Sequence, residues 1–176
     1  MKRRLIRVVM ASVIAVPILL MSCMNSGTED YPNFWEQLEK DLQAIDDYLA
    51  QNNIQGVQKD ADGLIRYVVH RDSVGTGKPT IDSCATVNYA GFLMANGSKF
   101  DDGNNFSFPV AGVIDGWKIG IPLLDLGDSV TFYIPSGLGY GYAGYEPDIP
   151  RNANLIFRVA LKDIGKTYNS SSRSCQ

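Results

Sequence analysis

The stretch Val113-Ile114-Asp115-Gly116-Trp117 decides how the chain is read. It lies between the aromatic alternation Phe106-Ser107-Phe108, which reads as strand, and a short helix that it opens. Asp115 is expected at the N-cap, because an aspartate carboxylate accepts the orphan N–H groups of a first helical turn. Trp117 then falls on that first turn. An indole is a large apolar surface with one polar handle, and at this position it can form the floor of a pocket. What surrounds that ring decides the function.

On both sides of this stretch the pattern is strand after strand. Val87, Tyr89 and Gly91 alternate with Thr86, Asn88 and Ala90. Asn96-Gly97 signals a tight turn before Lys99-Phe100-Asp101. Val130, Phe132 and Ile134 share one face of a strand from Asp128 to Ile134, and Leu155, Phe157, Val159 and Leu161 share one face of a last strand. Gly137 to Pro150 is a loop rich in glycine and tyrosine. The economical architecture is α+β: a twisted antiparallel β-sheet wrapped around one short α-helix.

An N-terminal amphipathic helix precedes this domain. Tyr31-Pro32 opens it, with Pro32 suited to the first helical position. Phe34, Leu38, Leu42, Ile45 and Leu49 recur at helical spacing, and the pattern fades at Gln51-Asn52-Asn53. That face can pack on the protein's own domain or pair with a second copy; a single stripe favours packing at home, hence a monomer over a helix-mediated dimer.

Further upstream, Lys2, Arg3, Arg4 and Arg7 form a positive segment ahead of an apolar run from Val8 to Met21, which Pro17 interrupts. This is a targeting signal, too short to span a bilayer comfortably. It ends in Leu20-Met21-Ser22-Cys23, which resembles a bacterial lipobox. The resemblance implies cleavage before Cys23, lipidation of its thiol and tethering to a membrane through the acyl chains; the alternative is an ordinary signal peptide. The expected location is extracytoplasmic, on the periplasmic or surface face of a membrane, with the outer membrane favoured. Loss of residues 1–22 removes four of the 16 basic residues and none of the 19 acidic ones, leaving a net charge of −7. The parts are then a signal peptide (1–22), a tether (23–30), the helix (31–53), a connecting strand and loop (54–82), the sheet domain (83–166) and a loose serine-rich tail (167–176).

Several function classes drop out. The acidic balance shows no basic patch for nucleic acid. Three cysteines and one histidine make a Cys/His zinc site hard to build. His70 lies in the strand reading Leu64 to Arg71, with no nucleophile motif to serve. Asp60-Ala61-Asp62-Gly63 lacks the further ligands of a calcium loop and reads as a turn. Cys84 and Cys175 can pair in an oxidising compartment or stay as thiols.

The motifs together resemble one family. Val87-Asn88-Tyr89-Ala90-Gly91, Gly97-Ser98-Lys99-Phe100-Asp101, Val113-Ile114-Asp115-Gly116-Trp117, Ile134-Pro135, Tyr140-Gly141, Ile149-Pro150 and Leu155-Ile156-Phe157 follow the FKBP-type peptidyl-prolyl isomerases in order and spacing, over about Ser83 to Lys166. The resemblance implies an isomerase of X–Pro bonds acting on proline-containing polypeptides, with no cofactor and no metal. It implies catalytic roles for Tyr89, Asp101, Ile114, Trp117 and Tyr140. Phe100, Phe106, Val113, Tyr145, Ile149 and Phe157 would complete the substrate pocket. Trp117 would lie under the pyrrolidine ring, with Phe100, Phe106 and Phe157 as walls. The Ile114 N–H and the Tyr140 hydroxyl would hold substrate carbonyls. Asp101 would either approach the imide carbonyl or hydrogen-bond a neighbouring tyrosine. Two departures bear on substrate preference: Asp102-Gly103-Asn104-Asn105 is shorter than in many members, and Tyr145 stands where many eukaryotic members carry histidine. A module that binds proline segments with little turnover is the alternative function. Phe132 and Phe92 read as core.

Overall fold

The computed structural model describes residues 33–165, apart from Val74 and Thr76, together with 168–169 and 174–175. The segments read as signal peptide and tether, the expected lipidation site Cys23, and Tyr31-Pro32 lie outside the described residues.

Helix α1 (Phe34–Gln51) starts at Phe34, because Asn33 takes the N-cap and its side chain accepts the Trp35 N–H at 3.1 Å. Among the described residues the helix therefore opens at Phe34, directly after Asn33. The expected stripe is partly covered: Leu38, Ile45 and Leu49 are buried, whereas Phe34 is 44% exposed. Ile45 and Leu49 pack with Val68, Tyr133 and Ile156 of the protein's own sheet. A fork of hydrogen bonds fixes the helix: Arg66 Nε donates to Asp46 Oδ1 at 2.7 Å and its terminal nitrogen to Oδ2 at 2.9 Å. Those hydrogen bonds hold the Asp46 carboxyl below its usual range.

The sheet is antiparallel throughout, in the order β1-β2-β5-β6-β3-β4. Its strands are β1 (Val57–Lys59), β2 (Arg66–Arg71), β3 (Cys84–Leu93), β4 (Lys99–Pro109), β5 (Ser129–Ile134) and β6 (Leu155–Gly165). The segment 54–82 thus supplies β1 and β2 to this sheet. Between them, Asp60-Ala61-Asp62-Gly63 is a turn: the buried Asp60 carboxylate accepts the N–H groups of Asp62 and Ile65. His70 contacts Thr131 Oγ1 at 2.7 Å across the β2–β5 pair.

The two faces of β5 serve two cores. Val130, Phe132 and Ile134 join the main core, while Tyr133 points to the α1 side. Opposite them, β6 sends Leu155, Phe157, Val159 and Leu161 into the main core and Ile156 to the other side. Helix α2 (Asp115–Gly120) packs on the main-core face. Phe132 is fully buried there, and Phe92 is half-buried on the opposite side beneath the Arg158 guanidinium.

The cap of α2 differs from expectation. Ile114 is the N-cap, with no side-chain hydrogen bond, and Asp115 is the first helical residue. Asp115 pairs instead with Lys118 at 2.9 Å, one turn on, while its charge still faces the positive end of the helix.

The tail also departs from the loose segment read in the sequence. Strand β7 (Tyr168–Asn169) pairs with β8 (Ser174–Cys175), and Cys175 is disulfide-bonded to Cys84 at the start of β3. The crosslink returns the chain end to the sheet. Replacing both cysteines with serine opens a loop of 91 residues, and should lower stability by about 4 kcal/mol. Guanidinium unfolding with and without reductant checks this: the wild type should weaken in reductant, and the serine variant should not respond.

Candidate functional site

A cleft of about 270 Å³ opens between α2 and the aromatic faces of β3, β4 and β6. Trp117 is its floor and is only 4% exposed. Its position follows from the sequence of α2. Gly116 and Gly120, one helical turn apart, face β5. A Cβ at Gly116 would collide with the Ile134 side chain, and one at Gly120 would come within 2.7 Å of Phe132. Only glycine allows the helix so close to the strand.

Three rings enclose the indole. Phe157 meets it edge-on at 5.2 Å, Tyr89 edge-on at 5.3 Å, and Phe108 lies tilted at 5.2 Å. Each such pair contributes about 1 kcal/mol beyond area burial. Phe106 stacks on Phe108 at 5.5 Å and remains 45% exposed, so it forms the lip of the cleft. The indole Nε1–H is buried without an acceptor among the described residues.

The polar groups sit at one end. Tyr89 donates its hydroxyl hydrogen to Asp101 Oδ2 at 2.7 Å. This is the tyrosine hydrogen bond, one of the two roles open to Asp101 in the sequence. Burial pushes the Tyr89 hydroxyl well above its ordinary pKa, and the Asp101 hydrogen bond pushes it further. Burial, the Asp101 charge and Tyr145 likewise raise Tyr140. Both phenols stay protonated, and the Tyr89 proton goes to Asp101. On the opposite side the Ile114 carbonyl accepts the N–H groups of Trp117 at 2.9 Å and Lys118 at 3.1 Å. The Ile114 N–H has no backbone partner among the described residues.

Of the residues proposed from the sequence, Tyr89, Asp101, Phe106, Val113, Ile114, Trp117, Tyr140 and Phe157 line this one cleft. Three lie outside its wall. Phe100 stands behind it, edge-on to Phe157 at 5.5 Å and to Tyr140 at 6.5 Å. Tyr145 is 64% exposed and leans on Tyr140 at 5.9 Å. Ile149 is buried in the main core, its backbone bridged to Tyr145. Sequence reasoning missed Gly112 on the wall, Phe108 under the floor, and two glycines that make room for the rings. Gly103 pairs with Tyr89 across β3–β4, where a Cβ would meet that ring at 2.6 Å. Gly91 pairs with Phe157 across β3–β6, where a Cβ would meet it at 2.8 Å. A glycine opposite an aromatic is the signal, but it is legible only once the strand register is known. Among the described residues no three His, Cys, Asp or Glu side chains gather to hold a metal ion.

Comparison with known proteins agrees with this geometry. Residues 75–162 match the family of FKBP-type peptidyl-prolyl cis-trans isomerases. A probable FKBP-type peptidyl-prolyl cis-trans isomerase FkpA of Neisseria meningitidis is 39% identical over 131 residues, covering 72% of this chain and 47% of the relative. FK506-binding protein 1 of Candida glabrata is 40% identical over 104 residues, covering 54% of this chain and 90% of the relative. A solved peptidyl-prolyl cis-trans isomerase of Pseudomonas syringae superposes with a TM-score of 0.63 at 28% identity, covering 73% of this chain and 96% of that one. The chain spans about half the length of the FkpA proteins it matches. It belongs to the FKBP-type peptidyl-prolyl cis-trans isomerase family.

The raised Tyr89 has a consequence for alkaline stability. Its contribution is complete below pH 10, the ordinary phenol value. As pH rises beyond that, the unfolded chain loses the proton first and the fold is disfavoured. The stability of wild type relative to Tyr89→Phe should therefore fall above pH 10, as read from urea midpoints at stepped pH; a constant difference would contradict the assignment.

Proposed function

We propose that this member of the family accelerates rotation about X–Pro bonds in proline-containing polypeptides, and that it acts outside the cytoplasm on a lipid tether at Cys23. The observation that carries the first part is the buried Trp117 floor, closed by Tyr89, Phe106 and Phe157.

Resonance gives the X–Pro bond partial double-bond character and a barrier of about 18–20 kcal/mol. The planar amide is more polar than the twisted one, so water stabilises the planar form more. A cleft that strips water from the bond binds the twisted form relatively better, and differential binding of that kind lowers the barrier. In this reading the pyrrolidine ring rests on Trp117 between Phe106 and Phe157. The Ile114 N–H and the Tyr140 hydroxyl hold the flanking carbonyl oxygens. Asp101 fixes the Tyr89 hydroxyl, and Tyr89 in turn props the indole edge. Rotation breaks no covalent bond, so the mechanism calls for no nucleophile, metal or cofactor.

The Cys84–Cys175 disulfide supports an oxidising compartment. The lipobox-like Leu20-Met21-Ser22-Cys23 supports the tether, with the outer membrane, on its periplasmic or surface face, as the favoured site. Among the described residues no helix is long and apolar enough to cross a membrane. The burial of Ile45 and Leu49 on the protein's own sheet supports a single copy as the acting unit.

Isomerisation of a short X–Pro peptide tests the first part. Trp117→Ala should lower kcat/KM at least roughly tenfold, equivalent to about 1.4 kcal/mol of lost transition-state stabilisation. Tyr140→Phe, a milder change that keeps the ring, should lower it several-fold. A folded wild type that binds the peptide without accelerating it would replace the isomerase reading with the binding module. For the tether, Cys23→Ser should move the protein from the membrane fraction to the soluble one; unchanged fractionation sinks the lipid anchor.

A further inference from the structure

The Tyr140 turn has an unusual attachment. The chain leaves β5 through Pro135 and enters a short 3₁₀ turn at Ser136–Leu138, two residues before Tyr140. Ser136 is fully buried and organises this turn. Its carbonyl accepts the N–H of Gly139 at 2.9 Å and of Gly141 at 2.8 Å, so Tyr140 is bracketed by bonds to one oxygen.

The other side of Ser136 is held by α1. Asp41 is 3% exposed, and its Oδ2 accepts both the Ser136 N–H, at 2.9 Å, and the Ser136 hydroxyl. Gln37 donates to Asp41 Oδ1 at 2.8 Å. Asn154 Oδ1 shares the Ser136 N–H at 3.0 Å. Phe34, the first helical residue, covers the next position: a Cβ on Gly137 would meet its ring at 2.9 Å.

Apolar packing would hold a helix to a sheet without a carboxylate. Burying one costs energy that only well-aimed donors offset, and such a group is retained where it fixes one geometry. Here two of the three donors belong to Ser136, the residue that sets the Tyr140 turn. We infer that Asp41 is a positioning residue for the isomerase site: through Ser136 it holds the turn that carries Tyr140, and so makes α1 part of the catalytic apparatus. This rests on the isomerase reading above. The residue lies far away in sequence, on a helix that lines no part of the cleft.

The test is a double-mutant cycle in the intact chain, with Asp41→Ala, Tyr140→Phe and the pair scored by kcat/KM on an X–Pro peptide. Asp41→Ala should lower kcat/KM roughly tenfold, the order of loss that displacing a binding group by about an ångström produces. With the Tyr140 hydroxyl already gone, the same change should cost less than about twofold. Asp41→Asn keeps an acceptor for Ser136 and should restore most of the activity. Equal losses in both backgrounds, or no loss in either, overturn the inference. If Asp41→Ala does not fold, Ser136→Ala takes its place in the cycle. Tyrosine-ring NMR supplies a readout independent of turnover. The Tyr140 signal, identified by its absence in Tyr140→Phe, should move in Asp41→Ala and hold in Asp41→Asn; an unmoved signal overturns the inference. An inactive wild type would sink the isomerase reading, and the Tyr140 signal would still decide what Asp41 does.

Discussion

The approach of α2 to β5 is the constraint from which the cleft follows. Gly116 and Gly120 remove the side chains that would otherwise stand between helix and strand, and Ile134 and Phe132 occupy the space. Trp117, next to Gly116, therefore sits low against the sheet and not at the height of a helix packed on larger residues. That depth is what lets β3, β4 and β6 supply rings that reach its edges. A larger residue at either glycine would lift the helix off β5, or displace the strand, and the floor would rise with it. Overpacking of this kind typically costs about 1–3 kcal/mol, but the functional effect would come from the altered depth of the indole.

The same device recurs around the walls. Tyr89 and Phe157 each lie opposite a glycine on the neighbouring strand, Gly103 and Gly91 respectively. Directly opposed side chains on neighbouring strands stand about 4.5–5.5 Å apart at Cβ and interact as pairs. Here bulk on one strand is matched by its absence on the next, so rings can tip across the pair and meet edge to face. The cleft is thus an omission in an otherwise filled core. Its lining is continuous with residues such as Phe108 that are simply buried. This is why the polar groups are few and local: Asp101, Tyr89 and Tyr140 cluster at one end, where the Asp101 carboxylate keeps a partner in Tyr89.

Much of this is legible in the sequence, for physical reasons that also explain what is not. Alternation along Val130, Phe132 and Ile134 and along Leu155 to Leu161 reports burial on one face directly, and those residues lie in the main core. The ordered motifs contain seven residues that line the cleft, and the family resemblance they carry adds Phe106. Motif spacing carries no information on depth, however. Ile149 looks like a pocket residue in sequence and is core in space, while Tyr145 is largely in solvent. An aspartate suits both the N-cap and the first turn, so the sequence alone places the cap of α2 one residue late; in the structure the Ile114 carbonyl accepts the first helical N–H groups and Asp115 pairs with Lys118. The tail reads as loose because serine-rich sequence has little to bury, and spacing alone does not reveal the crosslink that ties Cys175 to Cys84. Gly91 and Gly103 act through strand register, which a linear reading does not contain.

The N-terminal helix is the least legible part, since an apolar stripe does not say what covers it. Its place follows from β5, which is buried on both faces. Phe132 and Ile134 meet α2, while Tyr133 meets Ile45 and Leu49 on the side away from the cleft. A strand sandwiched in this way is held against movement in both directions, and the chain leaves it straight into the Ser136 turn. Movement of α1 on its seam therefore bears on Tyr140 by two routes, through the strand and through the Asp41 carboxylate. The Asp46–Arg66 fork fixes the register of that seam from the opposite end of the helix. Because pairing with Arg66 depresses the Asp46 carboxyl, its contribution is present above the ordinary carboxylate range and fades as acid protonates it. Acid should then loosen the α1 seam while Trp117, held by apolar rings and two glycines, keeps its place. The depth of the floor and the placement of Tyr140 thus rest on different forces, apolar packing for the one and buried polar bonds for the other.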